Sequence, residues 1–176
     1  MKRRTAIKQA LIFAGGLALL PSCMREQGKS SVKLNHLDIS ADEEDFLAEV
    51  CETLIPKAGT MGAKDLNLHL FVLKMVDDCH SPDDQKQFKT GIGNLDERCE
   101  KENGKKFAAC TPEQRTAFLK KISEEKEQKG ELYTAYSILK WRTIQGFMNS
   151  KYVMTDLKKY ELVPGRYNGY FPVKSA

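Results

Sequence analysis

The chain reads as all-α: a single helical domain of about five helices with an extended, turn-rich C-terminal tail. Three observations predict this. Helix-start signals recur at Ser40, Ser81 and Thr111. Apolar residues downstream of each step by threes and fours. No stretch of useful length alternates apolar and polar residues as a half-buried strand would. At 176 residues, 41% hydrophobic and 30% charged, the chain suffices for one domain with a real core and is short for two.

The front end does not belong to that domain. Lys2 to Lys8 is a positive segment, Ala10 to Leu20 an apolar run broken only by Gly15 and Gly16. The run is shorter than the ~20 residues a bilayer-spanning helix needs, and it fits the core of an export signal. Leu20-Pro21-Ser22-Cys23 resembles a lipobox, which implies cleavage before Cys23 and acyl chains on that cysteine. Arg3-Arg4 followed by Ile7 and Lys8 resembles the twin-arginine export signal, with Ala6 where that motif carries a larger apolar residue. Residues 1–22 are therefore read as an export signal, 23–39 as a lipidated N-terminus and tether, and 40–176 as the helical domain. Removing residues 1–22 takes away Lys2, Arg3, Arg4 and Lys8, so the 28 basic residues fall by four to match the 24 acidic ones. A formally neutral mature chain offers no electrostatic case for nucleic acid.

Within the domain each helix has its own justification. Ser40-Ala41-Asp42-Glu43 has capping-box spacing, and Phe46, Leu47, Val50, Cys51 and Leu54 form the first stripe. Pro56 ends that region, and Gly59 and Gly62 make a loop. Leu68, Val72, Met75, Val76 and Cys79 form a second stripe, widened by Leu66, Leu70 and Leu73. Ser81-Pro82-Asp83-Asp84 places a cap, a proline at the first helical position and acids at the positive helix end, ahead of Phe88, Ile92, Leu95 and Cys99. Thr111-Pro112-Glu113-Gln114 repeats the logic before Phe118, Leu119 and Ile122. Leu132, Tyr136, Leu139, Ile144 and Phe147 suit a fifth helix, with Trp141 nearby. From Tyr160 the chain turns at Pro164, Gly165, Gly169 and Pro172.

Catalytic and cofactor motifs are missing from the sequence. There is no C-x-x-C-H, G-x-G-x-x-G, G-x-S-x-G or H-E-x-x-H. His36, His69 and His80 show no ligand spacing and read as structural or surface histidines. Cys51, Cys79, Cys99 and Cys110 admit three disulfide connectivities in an exported protein, while the first three, on apolar stripes, also read as buried thiols. Asp77-Asp78 and Asp83-Asp84 read as solvated turns at helix ends, and Lys120 to Glu127 as an exposed helix face. The aromatics Tyr160, Tyr167, Tyr170 and Phe171, interleaved with Pro and Gly, must pack on this domain or on a partner.

Several segments in order resemble the gluconate 2-dehydrogenase subunit 3 family. They are Glu52-Thr53-Leu54-Ile55-Pro56 with Gly62-Ala63-Lys64-Asp65, then Phe71, Met75 to Cys79, Phe88, Gly91, Leu95 and Phe107. Gly146-Phe147 and Tyr160…Val163-Pro164-Gly165-Arg166-Tyr167-Asn168-Gly169 complete the series, and Tyr170 stands where many relatives carry cysteine. The resemblance implies a small, non-catalytic subunit beside a large FAD-binding oxidoreductase of the glucose-methanol-choline type that oxidises a sugar or sugar acid. It implies no cofactor in this chain, FAD in the large subunit, and a cytochrome c carrying haem c as electron acceptor in a third. It also gives the double arginine a purpose: a flavoprotein folded around FAD needs export in the folded state, and a bound partner can carry the signal. The expected location is the periplasm, anchored by lipid to the membrane. The implied partner-binding residues are Pro56, Gly62 and Asp65 in the loop, and Pro164, Gly165, Arg166, Tyr167, Gly169, Tyr170 and Phe171 in the tail. The alternatives are an autonomous periplasmic helical lipoprotein acting as a binding or scaffold module, and a small enzyme using His69 or a cysteine.

Overall fold

The helix-start signals do what their chemistry requires. In the computed structural model, which describes residues 28–125, 130–158, 160, 165 and 169–170, five α-helices follow one another. Helix α1 is Ala41–Leu54, α2 Leu68–Cys79, α3 Pro82–Asn103, α4 Pro112–Glu124 and α5 Glu131–Met148. Ser40 Oγ accepts the Glu43 N–H at 3.2 Å while the Ser40 N–H donates to the Glu43 carboxylate at 2.9 Å, completing the capping box. Thr111 and Gln114 form the same reciprocal pair ahead of α4. Ser81 Oγ accepts the Asp84 N–H, with Pro82 at the first helical position of α3. Helix α3 ends at Gly104, whose φ of +69° gives the left-handed cap that glycine adopts without Cβ strain. A single 3-10 turn, Phe107–Ala109, joins α3 to α4, and a π-helical turn, Val153–Leu157, follows α5.

Helix α5 is the hub. It packs on α1, α2, α3 and α4, most extensively on α3 and next on α2. Its buried positions are Ala135, Tyr136, Leu139, Thr143 and Gly146, a stripe with helical period. Gly91 of α3 lets the two helices approach closely: a Cβ there would lie 2.4 Å from both the Ala135 Cβ and the Glu131 carbonyl oxygen. Gly146 does the same for α2, where a Cβ would come within 2.7 Å of the Phe71 ring. The seam thus runs through Thr143 and Gly146 rather than through Ile144, which is only half-buried. At the other end Phe107 is fully buried, its ring edge-on to Phe46 at 5.6 Å and tilted to Phe118 at 6.1 Å.

Two acids correct the sequence reading. Asp77, expected in a solvated turn, is 1% exposed. Its carboxylate accepts the backbone N–H groups of Asn35, His36 and Leu37 at 2.8, 2.7 and 2.9 Å. Burial pushes this carboxyl up, but the three N–H donors and Lys74 outweigh it and hold the group below the usual carboxylate range. Glu44 likewise accepts the N–H and hydroxyl of Ser31. Together they clamp an extended strap, residues 29–39, whose Leu37 and Ile39 join the core. Asp78, the neighbour of Asp77, is exposed and pairs only at the surface with Lys74. On the expected exposed run, Glu125 instead receives both ends of the Arg98 guanidinium, tying the end of α4 to α3.

Cys79 is a third correction: it is exposed, because Val76 and Asp77 take the inward positions of the last turn of α2. Among the described residues no helix is long and apolar enough to cross a membrane. The export-signal residues Arg3, Arg4, Ile7 and Lys8, and Cys23, lie outside the described residues.

Candidate functional site

The loop between α1 and α2 is built around one carboxylate. Glu52, in the last turn of α1, accepts the backbone N–H groups of Lys57 and Lys64 at 3.0 and 2.8 Å. Gly62 passes directly beside it: a Cβ there would meet the two Glu52 carboxylate oxygens at 2.6 and 2.8 Å and the Lys57 nitrogen at 2.8 Å. Asp65 accepts the Gly62 N–H at 3.1 Å and the Lys57 ammonium at 3.2 Å. Those two donors, the backbone one first, hold its carboxyl below the ordinary range. The Ala63 N–H donates to the Ile55 carbonyl at 2.9 Å, and Ala63 is fully buried.

The loop is therefore tied from inside and exposed along its outer edge. Gly62 is buried and Asp65 is engaged with the loop itself. Pro56 to Met61 stand exposed in an unbroken row. Of the loop residues in the expected partner-binding set, Pro56 and Asp65 are exposed and Gly62 is buried; Gly62 and Asp65 also shape the loop through their contacts with Glu52 and Lys57. In the tail, Gly165, Gly169 and Tyr170 are exposed, Tyr170 at 97%. Pro164, Arg166, Tyr167 and Phe171 lie outside the described residues.

Sequence reasoning missed the outward face of α5. Trp141 is 66% exposed and Met148 41% exposed, seven positions apart and so on one side of the helix. Gln145 lies between them and is also exposed. The signal was present in the phase: Trp141 is two residues from Leu139 and two from Thr143, which places it about 200° round the helix from either. Exposed Met61, Leu157 and Tyr160 add further apolar area to the described surface. Large aromatic and methionine side chains left in water are the types that anchor protein interfaces.

Several titratable groups inside the domain are enclosed by it or bonded to it. Cys51 Sγ lies 3.2 Å from Thr143 Oγ1, and burial pushes its thiol up to about 12, away from the thiolate range that a nucleophile uses. His80 caps α2, and its Nε2 accepts from the Arg142 guanidinium at 3.1 Å. Burial first, then the Arg142 charge, lowers its pKa against the opposing pull of Asp84. Burial also lowers that of His69, whose Nδ1 has no hydrogen-bond partner. Among the described residues no three His, Cys, Asp or Glu side chains gather as a metal site would require.

A family model for gluconate 2-dehydrogenase subunit 3 matches residues 41–165. Comparison with curated proteins and with solved structures gives no match. The chain belongs to the gluconate 2-dehydrogenase subunit 3 family. Membership implies an accessory subunit of a dehydrogenase complex, associated with the other subunits of that complex.

Proposed function

We propose that this subunit is the non-catalytic companion of a large FAD-dependent dehydrogenase of the glucose-methanol-choline type acting on a sugar or sugar acid. It escorts the folded flavin subunit through twin-arginine export, using Arg3, Arg4, Ile7 and Lys8, and tethers it to the membrane through lipid on Cys23. The flavin chemistry resides in the partner, and a cytochrome c in a third subunit takes the electrons. Docking uses the outward face of α5 around Trp141 and Met148, with the Pro56–Met61 row and the aromatic tail as further contacts.

The observation that carries the docking assignment is Trp141, an aromatic side chain 66% exposed on the hub helix of a family member whose name is that of a subunit. The stiffening of the loop by Glu52, Gly62 and Asp65 supports it, because a preshaped surface loses less conformational entropy on binding. The escort and the anchor are supported by the sequence alone, from the double arginine and the Leu-Pro-Ser-Cys segment.

The test is tagged purification from the native membrane in mild detergent, followed by an absorbance spectrum and mass spectrometry. A large co-purifying protein with flavin absorbance is the expected result. A colourless chain that comes down alone, or a chain that holds FAD by itself, overturns the proposal.

A further inference from the structure

Cys99 and Cys110 are brought together by the turn that joins α3 to α4. Cys99 faces inward near the end of α3, fully buried, and Cys110 closes the 3-10 turn, 5% exposed. Their sulfurs are 3.7 Å apart, across eleven positions of chain. The other described cysteines are placed elsewhere: Cys51 is engaged with Thr143, and Cys79 is at the surface. Among the described residues no third metal-ligating side chain joins the pair, so a dithiol metal site has no support. Both thiols have weak polar contacts, Cys110 donating to the Lys106 carbonyl at 3.5 Å and Cys99 accepting from Asn103 at 3.5 Å. Such contacts let the reduced form pack without strain.

We propose that Cys99 and Cys110 are the site of an intramolecular disulfide that closes when the chain meets an oxidising disulfide, leaving Cys51 and Cys79 as free thiols. A bond needs the sulfurs at about 2.04 Å. The approach is made by Cys110, which sits on an irregular connection between Gly104 and Thr111, while Cys99 is fixed on a long helix. The reaction is thiol–disulfide exchange with a low-molecular-weight or protein disulfide as oxidant. The more accessible Cys110 loses its proton to water and its thiolate attacks one oxidant sulfur. The S–S bond of the oxidant breaks and one oxidant thiolate leaves. Cys99, deprotonated in turn, attacks the Cys110 sulfur of the mixed disulfide and expels the second thiolate. Two electrons pass from the protein sulfurs to the oxidant, and the two protons end on the released thiols. Burial first, then the neighbouring Cys110 sulfur, pushes the Cys99 thiol up, which disfavours it for the first attack. The cross-link joins the end of α3 to the entrance of α4 and locks the corner that Phe107 fills.

The pairing does not depend on the proposed export route or on a flavin partner. The experiment takes the full unprocessed chain, whose Cys23 carries no lipid, in detergent, either folded or refolded from guanidinium, and exposes it to glutathione disulfide or to dithiothreitol. After acid quench, denaturation and alkylation, intact mass and a peptide map are read. The expected oxidised product has lost two hydrogens, carries three alkylated cysteines of the five in the chain, and yields a linked Cys99–Cys110 peptide. Its melting temperature exceeds that of the reduced chain, and Cys99→Ser and Cys110→Ser each remove the difference. Five alkylated cysteines after oxidative refolding, glutathione adducts without a linked peptide, or a map joining Cys51 or Cys79 to either residue overturns the proposal.

Discussion

The two faces of α5 differ in what they leave over. The inward face is spent entirely on the fold: Ala135, Leu139, Thr143 and Gly146 are small or fully enclosed, and Gly91 admits the helix at contact distance. The outward face carries Trp141 and Met148 in water. A helix that needed only to hold the domain together would place polar residues there. The contrast is what the proposed docking role of α5 rests on: one face is enclosed by the core, and the other keeps large apolar side chains at the surface. A smaller version of the contrast stands at the end of α2, where Asp77 clamps three backbone N–H groups and Asp78 meets solvent.

The contrast can be broken from the inside first. Leu139→Ala removes a fully buried side chain from the hub and is expected to destabilise the domain by about 3 kcal/mol in denaturant unfolding. Gly91→Ala should cost about 2 kcal/mol by overpacking. That loss would appear despite alanine being the better helix former, because the added methyl meets backbone of α5 and the helices must separate. A neutral result would mean that the close approach of α3 and α5 is not needed.

Asp77 gives a smaller effect with a pH signature. Asp77→Asn keeps one acceptor oxygen but turns a donor toward the Asn35 N–H, and is expected to cost about 1.5 kcal/mol at neutral pH. The sign follows from the lowered pKa in the fold. The contribution is complete above the unfolded-state value of about 4 and is lost as pH falls through the folded-state value. Wild type should therefore lose more stability than the variant on acidification below pH ~4. Parallel pH profiles would show that the strap is not held by that charge. Trp141→Ala should change stability least, within about 0.5 kcal/mol.

What the sequence made legible follows the range of the interaction. Ser40, Ser81 and Thr111 announce helices because a cap and its N–H lie three residues apart. The apolar stripes of α1 and α4 appear as expected for the same local reason. Asp77 was misread because its partners lie about forty positions upstream, and nothing near it in sequence marks a buried carboxylate. Gly62, Gly91 and Gly146 were visible as family residues, but what each of them touches emerges only in the folded chain. Gly91 is a helix-crossing point. Cys79 kept helical spacing yet faces out, because the stripe rotates past it in the final turn. The exposure of Pro56 follows from its place in a loop, whereas that of Trp141 required following the phase of α5 residue by residue.

The central claim is that the outward face of α5 docks the flavin subunit. The direct measurement is co-purification of that subunit with tagged wild type and with the Trp141→Glu/Met148→Glu double variant, each checked for an unchanged melting temperature. The expected result is a variant that melts like wild type while retaining less than about a tenth of the co-purifying flavin, a loss of more than about 1.4 kcal/mol in binding. A variant that retains the flavin subunit in full would contradict the assignment of this face.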